Sequence, residues 1–114
     1  MDRVSDRMDK RIVAVSPNAT VASARMLANN SRVGMLPVVS DRKLVGMIDV
    51  NTIPEYDDTK KVSAVMKKPL FVEEGKSIDE ARKILIGCGI PRLPVVDSSV
   101  GMKCVGTVSS SELL

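Results

Sequence analysis

The spacing of apolar and polar positions along the chain predicts one short series of elements, and predicts it twice. In the first half, residues 12–15 (Ile-Val-Ala-Val) form a β-rich run closed by the turn-forming Ser16-Pro17-Asn18. Thr20 then caps a helix in which Val21, Ala24, Leu27 and Ala28 recur at helical spacing, with Arg25 and Asn29 facing elsewhere. Asn29-Asn30-Ser31 stops it. Residues 35–39 predict a strand with Pro37 near its start, where a missing N–H is best tolerated. Ser40-Asp41-Arg42-Lys43 turns the chain into a second strand over 44–48. A second helix is expected near Asp49 or Asn51 and is cut short by Pro54. Residues 55–61, carrying Tyr56-Asp57-Asp58, read as a linker.

The second half follows the same plan. Residues 70–72 (Leu-Phe-Val) are its first strand and Glu73-Glu74-Gly75-Lys76 the turn after it. Ser77 and Glu80 have the spacing of a capping box. Ile78, Ala81, Ile84 and Leu85 make the buried stripe of the helix that Gly87-Cys88-Gly89 ends. Strands follow at 93–96 and 103–108, and Ser109 is placed to cap a last helix. That helix has barely begun at Leu114, so the natural chain is expected to continue or to have lost a flanking helix.

The match between the halves extends to particular residues. Leu36-Pro37-Val38-Val39 returns as Leu93-Pro94-Val95-Val96, and Val45-Gly46 returns as Val105-Gly106. Val4-Ser5 and Met8 return as Val62-Ser63 and Met66, and Ala24-Arg25 as Ala81-Arg82. The protein is thus one unit used twice, with repeats expected at residues 1–56 and 57–114. Units of roughly 55 residues are marginal alone, so the halves are expected to bury their apolar faces against each other. The fold class expected is α/β (α+β). Two βαββα repeats would pack sheet to sheet with pseudo-two-fold symmetry, helices outside, leaving a cleft where the sheets meet.

Composition narrows the function classes. The chain is 44% apolar, and its aromatic residues are Tyr56 and Phe71. A net charge of +3 is spread as mixed signs, and Lys60-Lys61 and Lys67-Lys68 read as solvated loop residues. Without an aromatic stacking platform or a basic stripe, nucleic acid is not an expected partner. No apolar run approaches the roughly 20 residues of a membrane span, and residues 1–6 lack the apolar core of a signal peptide, so a cytoplasmic setting is expected. There is no histidine, and Cys88 and Cys104 are isolated. Cys104 and the methionines read as core, and Cys88 as core or helix termination. With no metal-ligand cluster and no nucleophile paired to a base, neither a metal site nor catalysis is expected.

The ordered set (an amphipathic helix, then h-x-x-h-Pro-Val-Val, a polar turn, Val-Gly-h-h-Ser/Thr and an acid three residues on) resembles the CBS domain. Two copies in tandem resemble a CBS pair, or Bateman module, from Val4 to Leu113. The resemblance implies a non-catalytic regulatory module that binds an adenine nucleotide or related adenosyl ligand in the inter-repeat cleft and modulates a partner or attached domain. AMP, ADP, ATP and S-adenosylmethionine are the ligands it suggests, with no cofactor required and a homodimer as the usual assembly. The alternative is a ligand-free module for dimerisation or protein interaction.

Family members carry a hydroxyl and a carboxylate in the pattern Gly-h-h-Ser/Thr-x-x-Asp. A carboxylate can accept from both vicinal hydroxyls of a ribose, and a helix N-terminus favours phosphate. In the second repeat Ser109 fills the hydroxyl position and Glu112, one methylene longer than Asp, the acid position. In the first repeat Asp49 stands where the hydroxyl belongs and Thr52 where the acid belongs. Asp49 there reads as an N-cap, or as a carboxylate that repels phosphate unless a cation intervenes. The second repeat is therefore the better site. By the resemblance, adenine would lie against Leu70, Ile90 and Leu93 beside Pro94 in the second repeat, and against Ile12, Val33 and Leu36 beside Pro37 in the first, weaker one. Arg92, where the first copy has Met35, reads as a phosphate contact or as an exposed strand-edge arginine.

Overall fold

The computed structural model describes residues 2–113; Met1 and Leu114, the outer ends of the two expected repeats, lie outside them. The chain is mixed α/β. Among the described residues the helices are α1 (Val4–Arg7), α2 (Val21–Ser31), α3 (Val62–Val65) and α4 (Ile78–Cys88). The strands are β1 (Met35–Ser40), β2 (Lys43–Asp49), β3 (Val72–Glu73), β4 (Arg92–Val96) and β5 (Cys104–Ser109). The 3-10 turns among the described residues are η1 (Val50–Thr52), η2 (Glu55–Asp57) and η3 (Ser110–Leu113).

Two compact units result, and they do not follow the repeats. One joins Met1–Ile12 to Leu70–Leu114; the other is Val13–Pro69. In the first, β3, β4 and β5 form a sheet, β3 parallel to β4 and β4 antiparallel to β5. Its core is Val72, Ile78, Ala81, Leu85, Leu93, Val95, Val108 and Leu113, together with Val4 from the N-terminal arm. In the second, β1 and β2 pair antiparallel over a core that includes Val15, Ala24, Ala28, Leu36, Val38, Ile48 and Val50. Val62, which belongs in sequence to the second repeat, completes that core. Each short leading helix therefore packs on the other repeat. Each brings one valine with no exposed surface, worth about 1.5–3 kcal/mol of burial.

The long helices follow the expected stripes. α2 buries Val21, Ala24 and Ala28 behind a Thr20 cap, and α4 buries Ile78, Ala81 and Leu85. Of the capping box, Ser77 Oγ accepts from Glu80 N at 3.2 Å. The first strands are shorter than expected. Of residues 12–15 only Val15 pairs, in a single parallel bridge to Val38, and Ile12 is 40% exposed. Of residues 70–72 only Val72 lies in a strand. Once the crossing segment has paired with the last strand, little chain is left to extend a ladder.

That pairing explains the repeated motif. Thr107 and Asp9 exchange both backbone hydrogen bonds, at 2.8 and 2.9 Å, as Met47 and Lys67 do at 3.0 and 2.9 Å. Pro94 stands opposite Thr107 and Pro37 opposite Met47. Their partners' backbone groups already face the crossing segment, so the missing proline N–H removes no bond from the β4–β5 or β1–β2 ladder. Each hairpin also shifts register at the next pair, Val38/Val39 and Val95/Val96, so both copies carry the same bulge.

Residues 55–61 are more than a tether. Arg25, expected to face elsewhere, reaches across to them. Its guanidinium pairs with Asp58 at 2.8 Å and donates to Val50 O at 2.8 Å and Ile53 O at 3.0 Å. Arg82 does the equivalent in the other unit, donating to Leu113 O. The paired Ala-Arg of the sequence thus latches the final turn of each repeat to its long helix.

Candidate functional site

Arg92 opens β4 directly opposite Ser109, which ends β5. η3 then curls back, so Glu112 Oε1 accepts from Ser109 N at 2.8 Å and Ser109 Oγ at 3.0 Å. This is one half of a capping box: the carboxylate takes the Ser109 N–H, while the Ser109 hydroxyl donates to the same oxygen. Arg92 Nη1 donates to the same Oε1 at 3.3 Å and to Thr107 Oγ1 at 2.9 Å. Ser111 Oγ lies 3.0 Å from Ser109 Oγ. The side chains of Arg92 and Glu112 are 33% and 26% exposed, so solvent reaches both and their pairing is worth no more than about 1 kcal/mol.

The N-terminal arm borders this cluster. Asp9 is fixed by its backbone exchange with Thr107, and its carboxylate takes Arg11 N at 2.9 Å, Nε at 3.3 Å and Nη2 at 3.2 Å. These bonds hold the Asp9 carboxyl below the usual aspartate range, with a smaller contribution from the charge of Arg92. Arg11 is raised in turn by Asp9 and, to a lesser extent, by Glu112. Two ion pairs thus lie on this edge: Arg92–Glu112, bonded to the Thr107 and Ser109 hydroxyls, and Asp9–Arg11 on the arm beside Thr107.

Around them, Leu70 and Ile90 are half-buried against the first core, while Leu93 and Pro94 are buried in the sheet. Leu70, Ile90, Arg92, Leu93, Pro94, Ser109 and Glu112 thus all fall in one unit. Leu93 has no exposed surface in this structure.

The first repeat is built differently. Asp49 caps η1, its Oδ1 accepting Asn51 N at 3.0 Å, and Thr52 Oγ1 donates to Asp49 O at 2.9 Å. The Asn51 amide lies so close over Gly34 that a Cβ there would meet Nδ2 at 2.6 Å. Val33 is half-buried, Leu36 and Pro37 are buried, and Met35 stands in the place of Arg92. Ile12, at the last position of the other unit's N-terminal segment, is exposed.

Sequence reading missed Asp9, Arg11 and Thr107. The signal was present, because Met8-Asp9 aligns with Met66-Lys67 just as Gly106-Thr107 aligns with Gly46-Met47. Among the described residues, no group of three or more His, Cys, Asp or Glu could hold a metal ion, and no helix is long and apolar enough to cross a membrane. Cys104 is buried, which pushes its thiol up, and Cys88 is exposed.

Known proteins share this organisation. The CBS domain-containing protein YhcV of Bacillus subtilis is 31% identical over 122 residues, covering 99% of this chain and 87% of that protein. An uncharacterized protein of Methanocaldococcus jannaschii, MJ0188, is 31% identical over 115 residues, covering 98% of this chain but 43% of its own length, so this chain spans less than half of that relative. The crystal structure of CBSX2 from Arabidopsis thaliana in complex with AMP superposes with a TM-score of 0.83 at 26% identity, over 99% of this chain and 93% of that one. The CBS domain family model matches residues 4–56 and again 62–114. Two matches that together span nearly the whole sequence, over the doubled fold just described, make this chain a member of the CBS domain family, carrying its domains as a tandem pair.

Proposed function

We propose that the chain is a regulatory module that binds an adenine nucleotide, with its better site at the Arg92–Glu112 cluster of the second repeat. The observation that carries this reading is the convergence of one guanidinium, one carboxylate and the Ser109 hydroxyl within 3.3 Å at the end of β5. Glu112 is the acceptor for a ribose diol and Arg92 the donor to a phosphate, with Leu70 and Ile90 as the apolar face for the base. AMP bound to CBSX2, 26% identical, supports the ligand class. Binding alters a partner or attached domain only in so far as the nucleotide binds its two states unequally. The first repeat, with Met35 for Arg92 and Asp49 committed to its cap, is the weaker site.

A ligand-free interaction module is the second reading. It is favoured by the capping geometry of Glu112, which satisfies Ser109 without any ligand.

Thermal unfolding with AMP, ADP, ATP and S-adenosylmethionine separates the two. A ligand at 100 times its Kd adds about 2.7 kcal/mol to the folded state, which raises the midpoint by roughly 10 °C in a domain of this size. Glu112→Ala is expected to abolish the shift. Asp49→Ala is expected to cost about 1 kcal/mol of lost cap, which lowers the starting midpoint, and to leave the shift intact. No shift with any of the four leaves the interaction module; loss of the shift in Asp49→Ala alone moves the site to the first repeat.

A further inference from the structure

The segment bordering the Arg92–Glu112 cluster is not continuous in sequence with the fold it sits on. Residues 13–69, the whole of the other unit, separate the arm from the unit's remaining residues, which begin at Leu70. The arm is held by the buried side chain of Val4, by half-buried Met8 and by a few backbone bonds. Val4 N donates to Lys76 O at 2.9 Å, Ser5 N to Glu74 O at 3.0 Å, and Asp9 and Thr107 exchange theirs. Past Asp9 the chain lies outside any strand, and Arg11 and Ile12 are exposed. Few apolar contacts and short, edge-type hydrogen bonding mark a segment that opens at lower free energy than a sheet core.

Thr107 joins this arm to the candidate site. Its backbone pairs with Asp9 while its hydroxyl accepts from Arg92, which also bonds Glu112. Asp9 adds a carboxylate within the field of Arg92, and Arg11 a cation within the field of Glu112. Lifting the arm removes both charges and frees the Thr107 backbone on the edge that orients Arg92.

We propose that residues 2–12 form a detachable strap whose docking on the second-repeat fold is linked to occupancy of the Arg92–Glu112 site. A phosphorylated adenosyl ligand closes the strap, and release of the strap expels the ligand. The inference rests on the nucleotide-binding reading above. It adds the segment through which binding is transmitted: the strap leads directly into the other compact unit at Val13.

Amide hydrogen exchange on the whole chain, with and without AMP, tests it. The reporters are the amides of Val4, Ser5, Asp9 and Thr107, which bridge strap and fold. Without ligand they are expected to exchange faster than the amides of the β4–β5 ladder. With AMP at 100 times its Kd they are expected to slow by about 100-fold, the factor for a ligand that binds only the strapped state. If they exchange no faster than the ladder without ligand, the strap does not detach separately and the inference is overturned. If AMP binds by calorimetry yet leaves these amides unchanged, the inference falls and nucleotide binding stands. If calorimetry shows no binding of AMP, ADP, ATP or S-adenosylmethionine, both fall.

Discussion

Arg32 and Gly89 occupy the same place in the two repeats, just past the long helix, and both adopt the left-handed conformation, with φ of 57° and 64°. Gly89 has no Cβ to clash there; Arg32 does. The exposed Arg32 side chain contributes no burial to offset the strain. Arg32→Gly is therefore expected to stabilise the protein by about 0.5–1 kcal/mol, after allowing for the greater freedom glycine gives the unfolded chain. The gain appears as a rise of roughly 2–6 °C in the thermal midpoint. A fall in the midpoint would show that the Arg32 side chain makes a contact that matters. Sequence reading placed this helix end at Asn29-Asn30-Ser31, while the helix itself runs to Ser31. In the second repeat the glycines marked the end plainly. An arginine forced into a glycine's conformation carries no such mark.

Gly46 and Gly106 show what the repeated Val-Gly pair does as part of an element. Each lies where a segment from the other repeat crosses its strand. A Cβ at Gly106 would meet Asp9 O at 2.7 Å and Met8 Sδ at 2.9 Å; one at Gly46 would meet Met66 Sδ at 2.7 Å and Lys67 O at 3.1 Å. The obstruction at Gly106 is backbone, while the nearest atom at Gly46 sits near the end of a flexible side chain. Gly106→Ala is accordingly expected to cost about 2–3 kcal/mol, and Gly46→Ala less, about 1 kcal/mol. Gly75→Ala, with nothing near its Cβ, serves as the control. Urea unfolding of the three variants checks the order, and equal losses at Gly46 and Gly106 would mean that the crossing segments yield without cost. The hairpins and long helices were legible because alternation, helical spacing and turn residues are local signals. The crossing helices were visible only as repeated residues, Val-Ser and Met. Four-residue helices have too few positions to show a period, and nothing local says which copy they pack on.

At the scale of the whole molecule, repeat and compact unit are different divisions of the same chain. The repeats of the sequence, near residues 1–56 and 57–114, each leave a leading helix behind in the other's core. A fragment of residues 1–56 keeps α2, β1 and β2 but lacks Val62, Val65 and Met66, which close the second core cluster. It also exposes Val4, whose partners Val72, Ile78 and Leu85 are gone. A fragment of residues 13–69 is almost the same length and contains every member of that cluster. It also keeps the Arg25–Asp58 pair and the Met47–Lys67 exchange. At under 60 residues either piece is near the lower limit of independent folding, so one buried valine and its half-buried neighbours decide the outcome. The 13–69 fragment is expected to unfold cooperatively in urea with dispersed amide resonances, and the 1–56 fragment to be unfolded in the same buffer. The reverse result, or equal order in both, would mean that the crossing helix adds nothing to the core it enters, and that the repeat boundaries read from the sequence are the physical ones.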